Sequence, residues 1–222
     1  MDSLLTLEGL AWATPDGRPL GQGISLQLRK GQLLWIQGPN GAGKSSLLRV
    51  LLQETKPASG TVRFQVADSE IGYLPQVQNR ECHLPFTLGE VIALAPRRRS
   101  EVQDWGLLNP SRLDLSWNQA SGGERQRTLL TRELINGPEI LILDEPLNHL
   151  DDHSRTLMQA TLTKLLQLPH SPAVILVSHE AFSADAVLPR GGFRVLLDGQ
   201  GHATCQSLPS ASSPHPSDVL HS

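Results

Sequence analysis

The stretch Gly38-Pro39-Asn40-Gly41-Ala42-Gly43-Lys44-Ser45-Ser46 decides how the rest of the chain is read. It satisfies G-x-x-x-x-G-K-[ST], a loop whose backbone amides cradle phosphate groups. Glycines at positions 38, 41 and 43 let the chain wrap an anion with its N–H groups inward, where a Cβ would obstruct. Lys44 can bring a point charge to the β- and γ-phosphates, and Ser45 offers a hydroxyl to Mg²⁺. Just before the loop, Leu33-Leu34-Trp35-Ile36 reads as a buried strand. Just after it, Leu47, Leu48, Leu51 and Leu52 fall on one face of a helix whose positive N-terminus points at the phosphates. Strand, glycine loop and helix in this order predict a nucleotide site.

The bulk properties narrow the setting. A chain of 222 residues can bury a substantial core in one domain, or in a domain with a smaller lobe. A net charge of −3 predicts neither a nucleic-acid coat nor a membrane-binding surface, so no direct nucleic-acid contact is expected. Arg97-Arg98-Arg99 is the one dense basic run and reads as a solvated loop. Cys82 and Cys205 lack metal-ligand spacing and are too few for a disulfide framework, which fits a reducing compartment. Met1-Asp2-Ser3-Leu4 has no basic n-region or long apolar h-region, so no signal peptide is expected. No apolar run approaches the ~18 residues that a spanning helix needs. The expectation is a soluble chain that reaches a membrane only through a partner.

Along the chain, Leu4 to Leu10 reads as a strand, Trp12 to Pro19 as a loop turning at Asp16-Gly17, and Ile24 to Leu28 as a half-buried antiparallel strand. Thr61–Phe64 and Ile71–Leu74 are short strands. Thr87-Leu88-Gly89-Glu90 is a capping box opening a helix that Pro96 ends, and a second helical piece is expected over Glu101 to Leu107. A long helix runs from Ser121 to Asn136 and stops at Gly137-Pro138. Ile140 to Leu143 and Ala173 to Val177 are continuous apolar runs, the signature of parallel strands buried on both faces. Between them lies a helix from about Asp152 to Leu168. Arg194 to Leu197 with Gly199-Gln200-Gly201 predicts a closing hairpin. The expected layout is one domain over 1–205, with a helical subdomain over about 78–136 and a disordered tail over 206–222.

Four further sites carry chemistry. Asp144 directly follows a buried strand, where an acidic residue holds Mg²⁺, and Glu145 beside it is placed to orient or deprotonate water. Ser121-Gly122-Gly123-Glu124 reads both as a capping box and as an anion-facing helix start. A second such start in one chain hints at two half-sites closing in a dimer. His179 ends a strand where a γ-phosphate contact is the better reading, and the Gln76 amide follows another strand, within reach of Mg²⁺ and water.

Gly38 to Ser45, Tyr73 to Gln76, Ser121 to Arg127, Ile140 to Pro146, Leu150-Asp151 and Ser178-His179, taken together, resemble the nucleotide-binding domain of ABC ATPases. The resemblance implies an α/β P-loop NTPase core with a mixed sheet, an N-terminal antiparallel β subdomain and an inserted α-helical subdomain. It implies ATP and Mg²⁺, hydrolysed in a head-to-tail homodimer. Each site would use the phosphate loop, Gln76, Asp144, Glu145 and His179 of one subunit, with Ser121, Gly122, Gly123 and Asp151 supplied by the other. Family members stack adenine on an aromatic residue ahead of the loop, for which Trp12 is the matching candidate. Two positions depart from the pattern. Ala120 stands where Leu is usual and removes an apolar anchor at that helix start, and Glu124 stands where Gln is usual.

Two functions follow from the resemblance. One is the ATP-binding subunit of a transporter, docked by its helical lobe on integral membrane permease subunits at the cytoplasmic face and served in some systems by a substrate-binding protein. The run from Ile71 to Gln76 and the stretch Leu84-Pro85-Phe86-Thr87-Leu88 look like ATPases of metal-ion and metal-chelate importers, with export still open. The other is a soluble ABC protein acting on ribosomes or nucleic acid, suggested by Leu147-Asn148-His149-Leu150-Asp151. That branch joins two cassettes in one chain, and a single phosphate loop favours transport.

Overall fold

Alternation on both faces of three strands sets the centre of the molecule. A computed structural model describes residues 2–76, 85–96, 105–179 and 188–210. Strands β1 (Ser3–Ala13), β2 (Pro19–Arg29) and β3 (Leu33–Gln37) lead into helix α1 (Lys44–Leu51). Strands β4 (Ser59–Phe64) and β5 (Ile71–Leu74) follow, then helices α2 (Leu88–Ala93) and α3 (Gly122–Asn136). The chain closes with β6 (Ile140–Asp144), α4 (Asp152–Gln167), β7 (Ala173–Ser178), β8 (Gly192–Leu197) and β9 (Ala203–Leu208).

Six strands form one sheet in the order β5-β6-β7-β3-β8-β9, parallel throughout except for β9. In its central strands Leu34, Ile36, Ile142, Ile175 and Val177 face a core shared with α1 and the antiparallel sheet. Their neighbours Leu33, Trp35, Leu141, Leu143, Val174 and Leu176 face a second core with α3 and α4. Period-2 alternation with both faces buried explains why these strands read as unbroken apolar runs. The smaller sheet, in the order β2-β1-β4, is antiparallel and covers α1.

Several expectations need adjustment. The first strand does not stop at Leu10 but runs to Ala13, so the loop shrinks to a turn at Asp16-Gly17 between β1 and β2. Trp105 to Leu107 are not helical, while residues 101–104 lie outside the described residues, as do Cys82 and Arg97 to Arg99. The boundary expected at 205 falls inside β9, which stays paired with β8 from Ala203 to Leu208. Residues 211–222 are outside the described residues.

Capping residues set the helix ends. Thr87 and Glu90 form a reciprocal box at α2, with Glu90 N donating to Thr87 Oγ1 at 3.2 Å and Thr87 N to Glu90 Oε2 at 2.7 Å. Gly137, at φ 63°, ends α3 in the left-handed conformation that glycine tolerates best. Ala120 remains buried at 6% exposure, in a small cluster with Leu88, Val91 and Trp117. Arg125 holds the turn just before this helix start. Its guanidinium lies 5.7 Å from the Trp117 ring centre and donates to the carbonyls of Trp117 and Asn118 at 2.9 and 3.1 Å. Among the described residues, no helix is long and apolar enough to cross a membrane.

Candidate active site

Parallel pairing brings four strand ends to one edge. Register pairs Gln37 with Ser178, Asp144 with Val177 and Leu74 with Leu143. The residues just past these ends, Gly38, Glu145, His179 and Gln76, therefore gather at the C-terminal edge of the sheet, where α/β folds place ligands. A cleft of about 650 Å³ opens there, lined by Asn40, Gly41, Gly43, Lys44, Ser45, Ser46, Gln76, Glu145 and His179.

The phosphate loop is shaped by its glycines. Gly41 and Gly43 have φ of 79° and 93°, and a Cβ on Gly38 would meet the Leu197 carbonyl at 2.7 Å. Gly43 caps α1 with no side-chain bond, so the first-turn amides are left for a ligand. Ala42 is buried beneath the loop. Lys44, only 6% exposed, donates to the carbonyls of Gly38 and Pro39 at 2.9 and 3.2 Å.

The Lys44 ammonium also lies 3.2 Å from Glu145 Oε1, while Glu145 Oε2 lies 2.9 Å from His179 Nδ1. Glu145 is thus gripped on both carboxylate oxygens. Its backbone has φ 48°, a left-handed value that costs energy for a residue with a Cβ, and its N–H donates to Val177 O at 2.9 Å. The strained turn aims the side chain into the cleft instead of continuing β6. Burial, helped by the adjacent Glu145, pushes the Asp144 carboxyl up to about 6, against a lowering by Lys44. A buried carboxylate whose charge is disfavoured in this way suits a bound cation. The Ser45 hydroxyl and the Gln76 amide line the cleft, whereas Asp144, at 9% exposure, is not part of its lining; all three offer oxygen donors of the kind that Mg²⁺ takes.

Trp12 is a correction. It is 1% exposed, lies in the core, and is paired with Gly21, whose missing side chain makes room for its ring. A Cβ on Gly21 would come within 2.3 Å of that ring. An indole sealed in this way cannot stack on a nucleobase. Thr14, Leu20, Asn148 and His149 also line the cleft. Thr14 and Leu20 belong to no motif, whereas Asn148 and His149 fall within the stretch Leu147 to Asp151. His149 lies between Glu145 and Asp151 in sequence and has a left-handed φ of 58°.

Ser121, Gly122, Gly123 and Asp151 do not line this cleft. Ser121 is the N-cap of α3 and Asp151 that of α4. Asp151 Oδ1 accepts from Ser154 N at 2.8 Å and Oδ2 from Ser154 Oγ at 2.7 Å, which hold its carboxyl below the usual range. Ser154 Oγ in turn accepts from Arg127 Nη1, tying the starts of the two helices together.

Comparison with known proteins agrees with this geometry. Residues 21–148 match the family model described as ABC transporter. Over 97% of the chain and 82% of the relative, it is 36% identical to the zinc import ATP-binding protein ZnuC of Photorhabdus laumondii. The fold is shared with a Clostridium perfringens component of the ABC transporter complex cbiONQ, at TM-score 0.71 and 21% identity over 94% of this chain and 90% of that one. It is also shared with an ATP-binding cassette in a dimeric post-hydrolysis state with ADP and Pi, at TM-score 0.68 and 22% identity over 93% and 99%. With that family model matched over residues 21–148 and a near-full-length relative 36% identical, this chain belongs to the ABC transporter family and is an ATP-hydrolysing, ATP-binding subunit.

Proposed function

We propose that two copies of this chain, apposed head to tail, hydrolyse ATP at two composite sites and drive metal-ion uptake through separate membrane-spanning subunits. The observation that carries the catalytic part is Glu145 held between Lys44 and His179. Lys44 donates to two carbonyls and lies against Glu145. A triphosphate on the open amides of α1 offers Lys44 a denser charge and draws it away. Glu145 is then left on His179 alone, free to accept a proton from water, which His179 keeps it aligned to do. Ser45, Gln76 and Asp144 would hold Mg²⁺, which supplies positive charge against the developing charge on the phosphates. Ser121, Gly122 and Gly123 of the second copy would close on the same triphosphate, with Asp151 at the joint between copies.

Metal uptake rests on the near-full-length similarity to zinc import proteins from Photorhabdus laumondii and Yersinia enterocolitica, 36% and 35% identical. In this reading the chain sits on the cytoplasmic face, held by permease subunits, with a substrate-binding protein delivering the metal. The catalytic part is tested with Glu145→Gln. It should form a stable ATP-dependent dimer by size-exclusion chromatography and lose phosphate release by at least about a hundredfold. Release at the wild-type rate would remove Glu145 from its role. The transport part is tested by zinc uptake into vesicles containing the co-purified membrane subunits, where ATP-dependent accumulation is expected.

A further inference from the structure

The second glycine-rich helix start in this chain carries a charge conflict. Ser121 Oγ accepts from Glu124 N at 3.2 Å and donates its one proton to Glu124 Oε2, 3.0 Å away. Glu124 Oε2 also accepts from Ser121 N at 2.9 Å. This arrangement suits the helix, because a carboxylate complements its positive end. It ill suits an incoming phosphate, which would meet a second anion and a hydroxyl whose proton is already given away.

One residue addresses both problems. Arg112 Nε donates to Glu124 Oε1 at 2.8 Å, on the oxygen that Ser121 does not use. Its position is built by a local turn at Asn109-Pro110-Ser111, where Asn109 Oδ1 accepts from the Ser111 backbone N–H at 3.0 Å and from the Ser111 hydroxyl at 2.9 Å. The guanidinium neutralises the carboxylate and draws its electron density toward Oε1. Oε2 thereby becomes a weaker acceptor for the Ser121 proton.

We propose that Arg112 is a positioning residue for Ser121, masking Glu124 so that the serine hydroxyl can turn its proton to the γ-phosphate held by the second copy. The inference rests on the reading that Ser121 acts across the dimer. Where Gln occupies position 124 no such mask is needed, because a neutral amide neither repels phosphate nor holds the hydroxyl so firmly.

The test is ATP hydrolysis by the full chain as wild type, Arg112→Ala, Glu124→Gln and the double variant. Arg112→Ala should lower kcat by roughly tenfold through the exposed carboxylate charge. ATP affinity of the monomer should stay unchanged, and the loss should shrink as salt screens the repulsion. In the Glu124→Gln background the same Arg112→Ala change should cost nothing further. Arg112→Gln, which keeps a donor without the charge, should behave like Arg112→Ala. Equal losses with Glu or Gln at 124, or wild-type turnover in Arg112→Ala, would overturn the proposal. Ser121→Ala separates the two levels. If it retains full turnover, the cross-dimer reading falls and the role of Arg112 with it. If it is inactive while Arg112→Ala is not, only the role of Arg112 falls.

Discussion

Helices α1 and α3 both begin at glycine-rich turns, and the two starts are prepared in opposite ways. At α1 the cap is Gly43, with no side-chain bond and no acidic residue in the first turn. At α3 the cap is Ser121, closed by a reciprocal box with an acidic residue inside the first turn. The first start leaves its donors open beside the buried Lys44 ammonium. The second has given the N–H groups of Ser121 and Glu124 to its own side chains and carries a negative charge that Arg112 pairs with. An open start can bind phosphate within one chain. A closed start is stable by itself, and on the reading proposed above it engages phosphate only when a second copy competes for its bonds.

The largest expected effect falls on the open start. Lys44→Ala should weaken ATP binding by the isolated chain by at least about a hundredfold, since a charge-assisted contact to two phosphates is lost. Isothermal titration of the monomer reads this directly. Removing Lys44 also removes the one group that lowers the Asp144 carboxyl, which should move still further up from about 6. Nucleotide binding at wild-type strength would mean that the amides of α1 suffice and that the contrast between the two starts has been overstated.

The same contrast explains what could be read from the sequence. The open start is encoded by contiguous residues, and its buried strands announce themselves because parallel strands covered on both faces have no polar side to confuse the pattern. His179 and Glu145 could be named because each directly follows such a strand. Trp12 could not be placed by the same logic, because its environment is made by a residue across a hairpin. The loop reading broke β1 before Ala13, hiding the pairing of Trp12 with Gly21. An aromatic facing a glycine across the Asp16-Gly17 turn was the available signal, and it points inward. Thr14 and Leu20 were missed for the same reason, since the hairpin alone brings them to the cleft. Arg112 lies outside every motif and gains its place through tertiary contact with Glu124.

Intermediate effects should come from the two glycines of the closed start. A Cβ on Gly122 meets nothing within 4 Å, whereas one on Gly123 would lie 2.5 Å from Ser154 Oγ and 3.2 Å from Arg127 Nη1. Gly122→Ala should therefore leave the melting temperature of the monomer within about 2 °C, since alanine is the better helix former. If the exposed face at 122 closes on a second copy, turnover should nevertheless fall. Gly123→Ala should lower both stability and turnover by disturbing the Arg127–Ser154–Asp151 link. Full turnover in Gly122→Ala would show that this face needs no close approach.

The smallest effect concerns acid and follows from the mask on Glu124. The Arg112 hydrogen bond, aided by bonds from Ser121, lowers the Glu124 carboxyl from 4.5 to about 2. A carboxylate depressed in the folded state stabilises it above the unfolded value and loses that contribution as pH falls through the folded one. The window therefore runs from 4.5 down to about 2. Arg127 of α3 and His153 of α4 line the same cleft, of about 680 Å³, as Glu124 and Arg112. Above pH 5 the wild type should melt about 2 °C higher than Glu124→Gln. Across that window the difference should vanish, although both proteins lose stability as their other carboxylates protonate. A difference that persists at the acid end would mean that Glu124 supports α3 through its shape as a cap and not through its charge. Arg112 would then have little charge to mask, and the closed start would be closed by hydrogen bonding alone.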